Sequence, residues 1–330
     1  GLDLGEEDFG YLLRAEKSLG GRSRFAIGGT GFSIVDPIEE WGLSNLEASL
    51  ATFILHKDYR DYYERTGWSA YARMSLPYVP IEFRAEYFEE DHAFAPVSGP
   101  WSLTKNNKIW RDQPLVAEGE LRYVEGSVTV DTRNHRDEPT DGWYVKASAR
   151  QGLGGDIFVP AHRTSNEPQA ALIPAFEYET DFLSGFADVR SYNRVGPRSS
   201  LNLRGLFGGT LNDVPLPPQF QHAMGGEGSL PGYALFSADC GARSVTRGYD
   251  VTVDDVTVRD PVFPSYGCDQ IALLQAEFRG TLFMDWDFGG GRDDDVWEDD
   301  WDWYPRVEFS PTWTAFFNMG RGWTVDGLGD

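Results

Sequence analysis

The sequence predicts an all-β protein with an antiparallel, up-and-down strand order, and its connectors favour a transmembrane β-barrel. The first observation is a period-two alternation of apolar and polar residues in many segments. The second is that tight turns alternate with long loops along the chain. The third is that no apolar run approaches the roughly 18 residues of a transmembrane helix, so any membrane crossing would have to use strands.

The alternation is clearest in four segments, which we interpret as strands: 67–76, 79–87, 143–150 and 274–282. In the first, Trp68 and Met74 share one face, while Ser69 and Arg73 share the other. Weaker alternation, also interpreted as strands, occupies 46–56, 118–131, 182–193, 199–207 and 307–319. Residues 1–45 are rich in glycine, and their strands cannot be numbered from the pattern.

The polar faces of these strands carry charges of both signs at mid-strand, namely Glu82, Arg84, Lys146, Arg190, Arg204, Glu277 and Arg279. A membrane barrel turns such a face toward a wet lumen. A soluble β-sandwich turns it toward bulk water. The alternation alone therefore leaves both architectures open.

Connector lengths favour the barrel. The tight spacers are 77–78 and 194–198, and the long ones are 91–117, 152–181 and 208–269. Counting strands up and down places the tight spacers on one side and the long ones on the other, as in membrane barrels. Segment 284–306 breaks the pattern because it is long but falls on the tight-turn side, where we expect it to be the longest connector and to face the periplasm.

Composition excludes several classes of protein. The 330 residues carry a net charge of −23, which argues against binding nucleic acid. Two cysteines are too few for a disulfide scaffold. The five histidines are scattered without metal-ligand spacing, and no nucleophile or phosphate motif is present, so we expect no metal, no cofactor and no catalytic residue. We interpret 1–330 as a single domain.

Two motifs go beyond the pattern. Asp131 and Arg133 end one strand, and Pro139, Thr140 and Gly142 lead into the next, which opens at Trp143. The second motif is a double-glycine loop with an aromatic tip, made of Gly225, Gly226, Leu230, Pro231, Gly232 and Tyr233.

These motifs resemble the BamA/TamA superfamily of outer-membrane assembly barrels: the first its strand–turn–strand signature, the second its sixth extracellular loop. Further segments are similar to the tenth to thirteenth family strands, namely 188–203, 274–279 and 317–320. The resemblance covers roughly 118–323. It implies a sixteen-stranded barrel of which about 12 or 13 strands are present, without the closing strands and without the periplasmic POTRA domains.

The resemblance also implies a function. The protein would insert outer-membrane proteins or move substrates across the bacterial outer membrane, mechanically and not as an enzyme. Its partners would be lipid, lipopolysaccharide, unfolded outer-membrane or secreted proteins, and periplasmic proteins. Two alternatives remain: a secretion pore of the two-partner type, and a soluble, Trp-rich, carbohydrate-active β protein.

In the family an Arg at the loop tip is held by acids on the twelfth and thirteenth strands. Here Pro231 replaces the Arg and Asn318 replaces the thirteenth-strand acid, while Glu277 remains. We expect the loop to fold inward nevertheless, held by packing of Leu230 and Tyr233, with Glu277 paired to Arg279 or Arg204.

Two further regions carry expectations. Cys240 and Cys268 share the long loop after Tyr233, and we expect them to form a disulfide on the extracellular side. The acidic, Trp-rich run 293–303 does not match an EF-hand. We interpret it as a solvated acidic loop, with protein docking or Ca²⁺ binding as the alternatives.

Overall fold

A computed structural model describes the fold of 19 stretches of the chain, namely 10–20, 24–39, 42, 45–56, 60–76, 79–95, 102–104, 113–114, 116–163, 172–173, 175–226, 228–233, 240, 251–253, 256–258, 267–281, 284–286, 307–309 and 311–325. All structural statements below concern these residues.

The described residues are mostly β-strands. In chain order the elements are β1 Tyr11–Leu19, β2 Phe25–Pro37, α1 Asn45–Leu55, β3 Tyr62–Ser75, β4 Ile81–Phe94, β5 Glu118–Asp131, β6 Gly142–Val159, β7 His162–Arg163, β8 Leu172–Ile173, β9 Phe176–Glu177, β10 Leu183–Gly196, β11 Ser199–Thr210, the 3₁₀ turn Pro218–Phe220, β12 Val251–Val253, β13 Val256–Val258, β14 Gln270–Thr281, β15 Met284–Trp286, β16 Val307–Phe309 and β17 Thr312–Trp323.

Eleven strands form one antiparallel sheet in the order β1-β2-β3-β4-β5-β6-β10-β11-β14-β17, with β9 added to β6. Each long strand pairs with the next long strand along the chain, so the sheet is up-and-down. The remaining short strands form three separate pairs: β7-β8, β12-β13 and β15-β16. Within the described residues β1 and β17 end the sheet and do not pair with each other. None of the described residues belongs to a helix long and apolar enough to cross a membrane.

The sheet has one polar and one apolar face, because paired residues on neighbouring strands point the same way. On the polar face Asp188 pairs with Lys146, and Arg190 pairs with Arg204. The apolar face presents large side chains that are exposed in the chain by itself, among them Trp68, Met74, Phe83, Trp143, Leu203, Leu274, Phe317 and Met319. The alternation in the sequence therefore predicted the two faces correctly.

The connectors also follow the predicted asymmetry. At one end of the sheet, the tight-turn end, the strands are joined by 20–24, 76–80, 132–141 and 197–198. At the other, the long-loop end, they are joined by 38–61, 95–117, 160–182 and 211–269. The β14–β17 connector, 282–311, lies at the tight-turn end and is the longest there, as expected.

Three expectations need correction. Segment 46–56 is not a strand but the helix α1; its Leu46, Leu50, Phe53 and Ile54 recur at helical spacing among good helix formers. The strands β4 and β6 run on into the supposed loops, to Phe94 and Val159. Among the residues that the structure describes, the sheet has eleven strands, where 12 or 13 were expected.

Two clusters of buried apolar residues lie under the loop 211–269, called the long loop below. The first contains Leu121, Tyr123, Ile157, Phe182, Leu216 and Phe220, with partly buried Phe88 packed against it. The second contains Leu206, Met224, Leu230, Ile271 and Leu273, together with both cysteines. The described parts of the long loop at 211–226 and 228–233 are therefore folded back against the polar face and contribute to both clusters.

Candidate functional site: a loop anchored on the polar face

The centre of the polar face near the long-loop end is a buried carboxylate, Glu90 on β4. It accepts hydrogen bonds from Arg65 on β3, at 2.6 and 3.0 Å, and from the Tyr123 hydroxyl on β5, at 2.8 Å. The His92 ring nitrogen Nε2 lies 2.7 Å from the same carboxylate. Arg65 also donates to Asp36 at 2.5 Å, so its guanidinium joins two acids.

Register explains this convergence. Arg65 pairs directly with His92 across β3 and β4, and Phe88 pairs with Tyr123 across β4 and β5. Side chains at alternate positions of adjacent strands are thereby brought to one spot on one face. A charge this deeply buried is tolerated because it is paired and fully hydrogen-bonded.

The long loop reaches this network through the turn Pro218–Phe220, which we call the Gln219 anchor. The Gln219 amide forms a two-bond pair with the backbone of Ala117, accepting from its N–H at 3.0 Å and donating to its carbonyl at 2.9 Å. The same amide nitrogen lies 2.7 Å from His92 Nδ1. Gln219 is thus saturated by partners that lie on and just before the strands β4 and β5.

Phe220 fixes the same turn by packing. Its ring contacts Tyr123 and His92 edge-on, with centroids 5.7 and 5.8 Å apart. The Arg150 guanidinium lies 4.1 Å above the Phe220 ring and is itself paired with Glu125 at 2.8 Å. The Gln219 anchor therefore combines a dry polar network with apolar and cation–π contacts.

A third contact ties the long loop to the β2–β3 connector. Glu39 accepts a hydrogen bond from the Ala223 N–H at 2.6 Å and lies 3.6 Å from the His222 ring. Burial raises the pKa of Glu39 above its usual value, although His222 and the Ala223 N–H act in the opposite direction.

The second inward turn of the loop, 225–233, is called the Leu230 anchor. Gly225, Gly226 and Gly232 all have positive φ, at 122°, 88° and 95°, which glycine adopts readily. The Ser229 hydroxyl accepts from the Gly225 N–H at 2.9 Å, closing the turn. Leu230 is 7% exposed and packs in the second apolar cluster.

The side chain of Gln275 on the sheet holds this turn by polar contact. Gln275 on β14 donates to the Ser229 carbonyl at 2.9 Å and to Asn318 on β17 at 3.0 Å. Its own oxygen accepts from Arg204 at 3.1 Å. Arg204 in turn shares Asp188 with Arg190, at 2.8 and 2.7 Å.

The expectations for the loop tip are met in part. The loop folds inward, Leu230 is buried, and Asn318 lies on the polar face. Glu277 binds Arg279, one of the two partners expected for it, and also accepts from Asn202 at 3.3 Å. Tyr233, however, does not pack: it is 65% exposed. The Tyr233 carbonyl closes the turn by accepting from the Gly226 N–H at 3.2 Å, and among the described residues of this turn Leu230 is the one that belongs to the second cluster. Pro231 is partly exposed.

The two cysteines of the long loop form the expected disulfide, with Cα atoms 5.4 Å apart. Both belong to the same buried cluster as Leu230. The backbone around them is also bonded to its neighbours: Cys268 exchanges hydrogen bonds with His222, at 2.6 and 2.9 Å, and the Cys240 carbonyl accepts from Thr324 at 2.9 Å. The disulfide therefore joins two parts of the long loop, and the Cys240 backbone ties that loop to the segment just after β17.

The turn motif 131–142 is held by local hydrogen bonds at the tight-turn end. Arg133 binds both oxygens of Asp131, at 2.8 and 2.9 Å. The Asn134 side-chain oxygen Oδ1 accepts from the N–H groups of Thr140 and Asp141, at 3.0 and 3.2 Å. Gly142 has a φ of 106°, and Pro139 precedes it at a partly exposed position. Asn134 organises the turn.

A cavity of about 660 Å³ remains between the polar face and the loops. Its wall carries both signs of charge, including Asp36, Glu39, Lys146, Arg150, Asp188, Arg190 and Arg204. No group of three or more potential metal ligands lies within the part of the chain that the structure describes. The acidic run 293–303 lies outside the described residues.

Sequence reasoning missed the residues that hold the loop most firmly. Glu90 and His92 continue the alternation of β4 beyond its assigned end, and following that alternation would have found them. Gln275 stands two positions before Glu277 and therefore on the same face. Gln219 has no sequence signal, because it lies in an irregular loop. No protein-family model and no curated protein sequence matches this chain.

Proposed function

We propose that this chain forms the wall of a transmembrane β-barrel in a bacterial outer membrane and belongs to the BamA/TamA type that its motifs resemble. It would insert outer-membrane proteins or move protein substrates across that membrane. The observation that carries the proposal is the two-sided sheet: one face bears exposed Trp, Phe, Leu and Met side chains, and the opposite face bears paired charges and an inserted loop.

The apolar face supports a lipid environment. Soluble proteins rarely expose a contiguous apolar surface of several strands. Lipid-facing strands of a membrane barrel present such a band as a matter of course, and their other face borders a polar interior. The division of connectors into a tight-turn end and a long-loop end supports the same architecture.

The proposed mechanism is mechanical. A weakly paired seam between strands would open toward lipid, and its free backbone groups would pair with an incoming strand. The inner face would need to stay rigid during such movement. Two separate attachments of the long loop to the polar face, at Gln219 and at Leu230, would supply that rigidity.

Adjacent positions on β6 provide a matched test of the membrane proposal. Ala147 lies on the apolar face and Ser148 on the polar face, within the cavity wall. A lysine at a lipid-facing position costs about 2–4 kcal/mol at the membrane midplane. Ala147→Lys should therefore lower the yield of protein folded into lipid vesicles, whereas Ser148→Lys should leave it close to wild type. Equal folding of both variants in aqueous buffer would contradict the proposal.

A second experiment addresses the function itself. The native protein should remain in the membrane fraction after carbonate treatment, and release without detergent would refute membrane integration. Vesicles that contain it should then fold an added, urea-unfolded outer-membrane protein faster than empty vesicles do. Transport of a secreted substrate into the vesicles without faster folding would instead support the two-partner secretion pore.

A further inference from the structure

We propose that His92 and Gln219 form a proton-sensitive latch, in which protonation of the His92 ring at Nδ1 releases the Gln219 anchor from the polar face. The latch concerns how the long loop is attached to the sheet. It goes beyond the proposed membrane function and does not depend on it, since the atoms involved lie together in the folded chain whatever surrounds the apolar face.

The orientation of the Gln219 amide is fixed by the backbone. Its oxygen accepts from the Ala117 N–H, and its nitrogen donates to the Ala117 carbonyl. Rotating the amide by half a turn would place its nitrogen against the Ala117 N–H, donor against donor, and its oxygen against the Ala117 carbonyl, acceptor against acceptor. The second hydrogen of the amide nitrogen therefore points to His92 Nδ1, at 2.7 Å, and the ring nitrogen must accept it.

The opposite ring nitrogen is fixed as a donor. Nε2 of His92 lies 2.7 Å from the Glu90 carboxylate, which is already ionised by its contact with Arg65. A carboxylate in this state only accepts hydrogen bonds. The two contacts together assign the neutral imidazole with its proton on Nε2, because an imidazolium would present donors on both sides.

Charged and titratable groups face the ring from each neighbouring element. Glu90 lies on its own strand, while Tyr63 and Arg65 lie on β3 and Tyr123 lies on β5. Gln219 and Phe220 cover the ring from the long loop. The Glu90 charge favours an added proton, and Arg65 opposes it. Gln219 is the group whose contact is lost when the proton arrives.

Protonation therefore has a definite consequence. The Nδ1–H of the imidazolium would face the N–H of Gln219, and the amide cannot turn away without breaking its Ala117 pair. Withdrawal of the turn Pro218–Phe220 removes this conflict and opens the ring to water. The open form should therefore gain over the closed form as the pH falls.

The test measures hydrogen exchange in peptides that contain the Ala117 and Phe220 amides. Exchange rates at pH 8 and pH 5 are each divided by those of the unfolded chain at the same pH. This removes the intrinsic effect of pH on exchange. A one-proton linkage shifts the equilibrium by up to about tenfold per pH unit. We expect a loss of protection of about tenfold in both peptides at pH 5, while β10 and β11 keep theirs.

Three variants identify the responsible group. In His92→Gln the new amide can still donate to Glu90 and accept from Gln219, so protection should not depend on pH. Gln219→Leu should lose protection at both pH values. His222→Gln removes the histidine that lies in the long loop itself and should retain the acid response. An acid response that persists in His92→Gln, or that disappears in His222→Gln, overturns the proposal.

A direct measurement covers the case in which His92→Gln fails to fold. The ¹⁵N spectrum of the wild-type protein labelled in its five histidines reports the tautomer of each ring. His92 should carry its proton on Nε2 at pH 8 and become doubly protonated over the same pH range in which protection is lost. A His92 ring that remains neutral while protection falls would also overturn the proposal.

Discussion

The two turns that attach the long loop to the polar face differ in what holds them. The Gln219 anchor enters a dry polar network and satisfies two backbone groups and a histidine, with Phe220 packed beside it. The Leu230 anchor is mainly an apolar plug, with one hydrogen bond from Gln275 and a disulfide nearby. The polar contacts of the Gln219 anchor depend on the orientation and protonation of their partners. The apolar contacts of the Leu230 anchor depend on the volume of the side chains. The same loop is therefore open to two independent kinds of perturbation.

The largest expected effect is at the charge beneath the Gln219 anchor. Glu90→Gln removes one partner of a buried ion pair, which typically costs about 3–5 kcal/mol. We expect about 3 kcal/mol in the free energy of unfolding, because Arg65 keeps its contact with Asp36. Glu82→Gln is the matched control: its carboxylate is half exposed and meets Arg73 at 3.4 Å. It should cost less than about 1 kcal/mol. Equal losses of unfolding free energy in the two variants, measured by urea unfolding, would show that the Glu90 carboxylate is not shielded from water.

Reduction of the disulfide should act on the other anchor. Cys240 and Cys268 lie 28 positions apart in the sequence. Closing a loop of this size stabilises a protein by about 3 kcal/mol in the chain-entropy model. We expect the paired Cys→Ser variant to lose up to this amount and to expose the backbone around Leu230 to exchange first. Earlier exposure of Ala117 and Phe220 would mean that the two anchors are not independent.

Truncation at the loop tip tests the apolar plug. Leu230→Ala should cost about 2–3 kcal/mol, toward the lower end of the range for a buried leucine, because a loop can partly collapse onto the space. Tyr233→Ala should change stability by less than about 0.5 kcal/mol, since its side chain is mostly exposed. The denaturant midpoints of the two variants measure this difference in stability. A larger loss of stability in Tyr233→Ala than in Leu230→Ala would show that Tyr233 packs as the sequence predicted.

The smallest effect is a pH dependence at Glu39, opposite in sign to that of the latch. Burial raises its pKa in the folded state, so folding favours the protonated carboxyl. Its contribution to stability is fully present below the unfolded pKa and is lost as the pH rises through the folded pKa. Glu39→Gln should therefore flatten the pH dependence of exchange at Ala223. A stronger pH dependence in this variant would contradict the sign.

Much of the sheet was readable from the sequence because a strand has a simple period. Residues two apart share a face, so the alternation at 118–131 gave the bounds of β5 without reference to any partner. The same rule failed at 46–56, where the apolar residues follow a period nearer four and form α1. The inward loop at 225–233 was predicted from the resemblance of its double-glycine motif to a family loop, with packing by Leu230 and Tyr233, of which only Leu230 is buried.

The sequence by itself determined the two faces of the sheet, the ends at which the connectors lie and the cysteines available for pairing. The tertiary structure alone decided which polar groups meet. Gln219 lies 127 positions from His92, and Gln275 lies 46 from Ser229. No local period relates residues so far apart. A hydrogen bond requires a donor–acceptor distance that is correct to within a few tenths of an ångström. Only the folded position of the long loop on the sheet sets that distance. Tyr233 shows the converse: it belongs to the same turn as Leu230 and was expected to pack with it, yet its side chain is mostly exposed while Leu230 is buried in the second cluster.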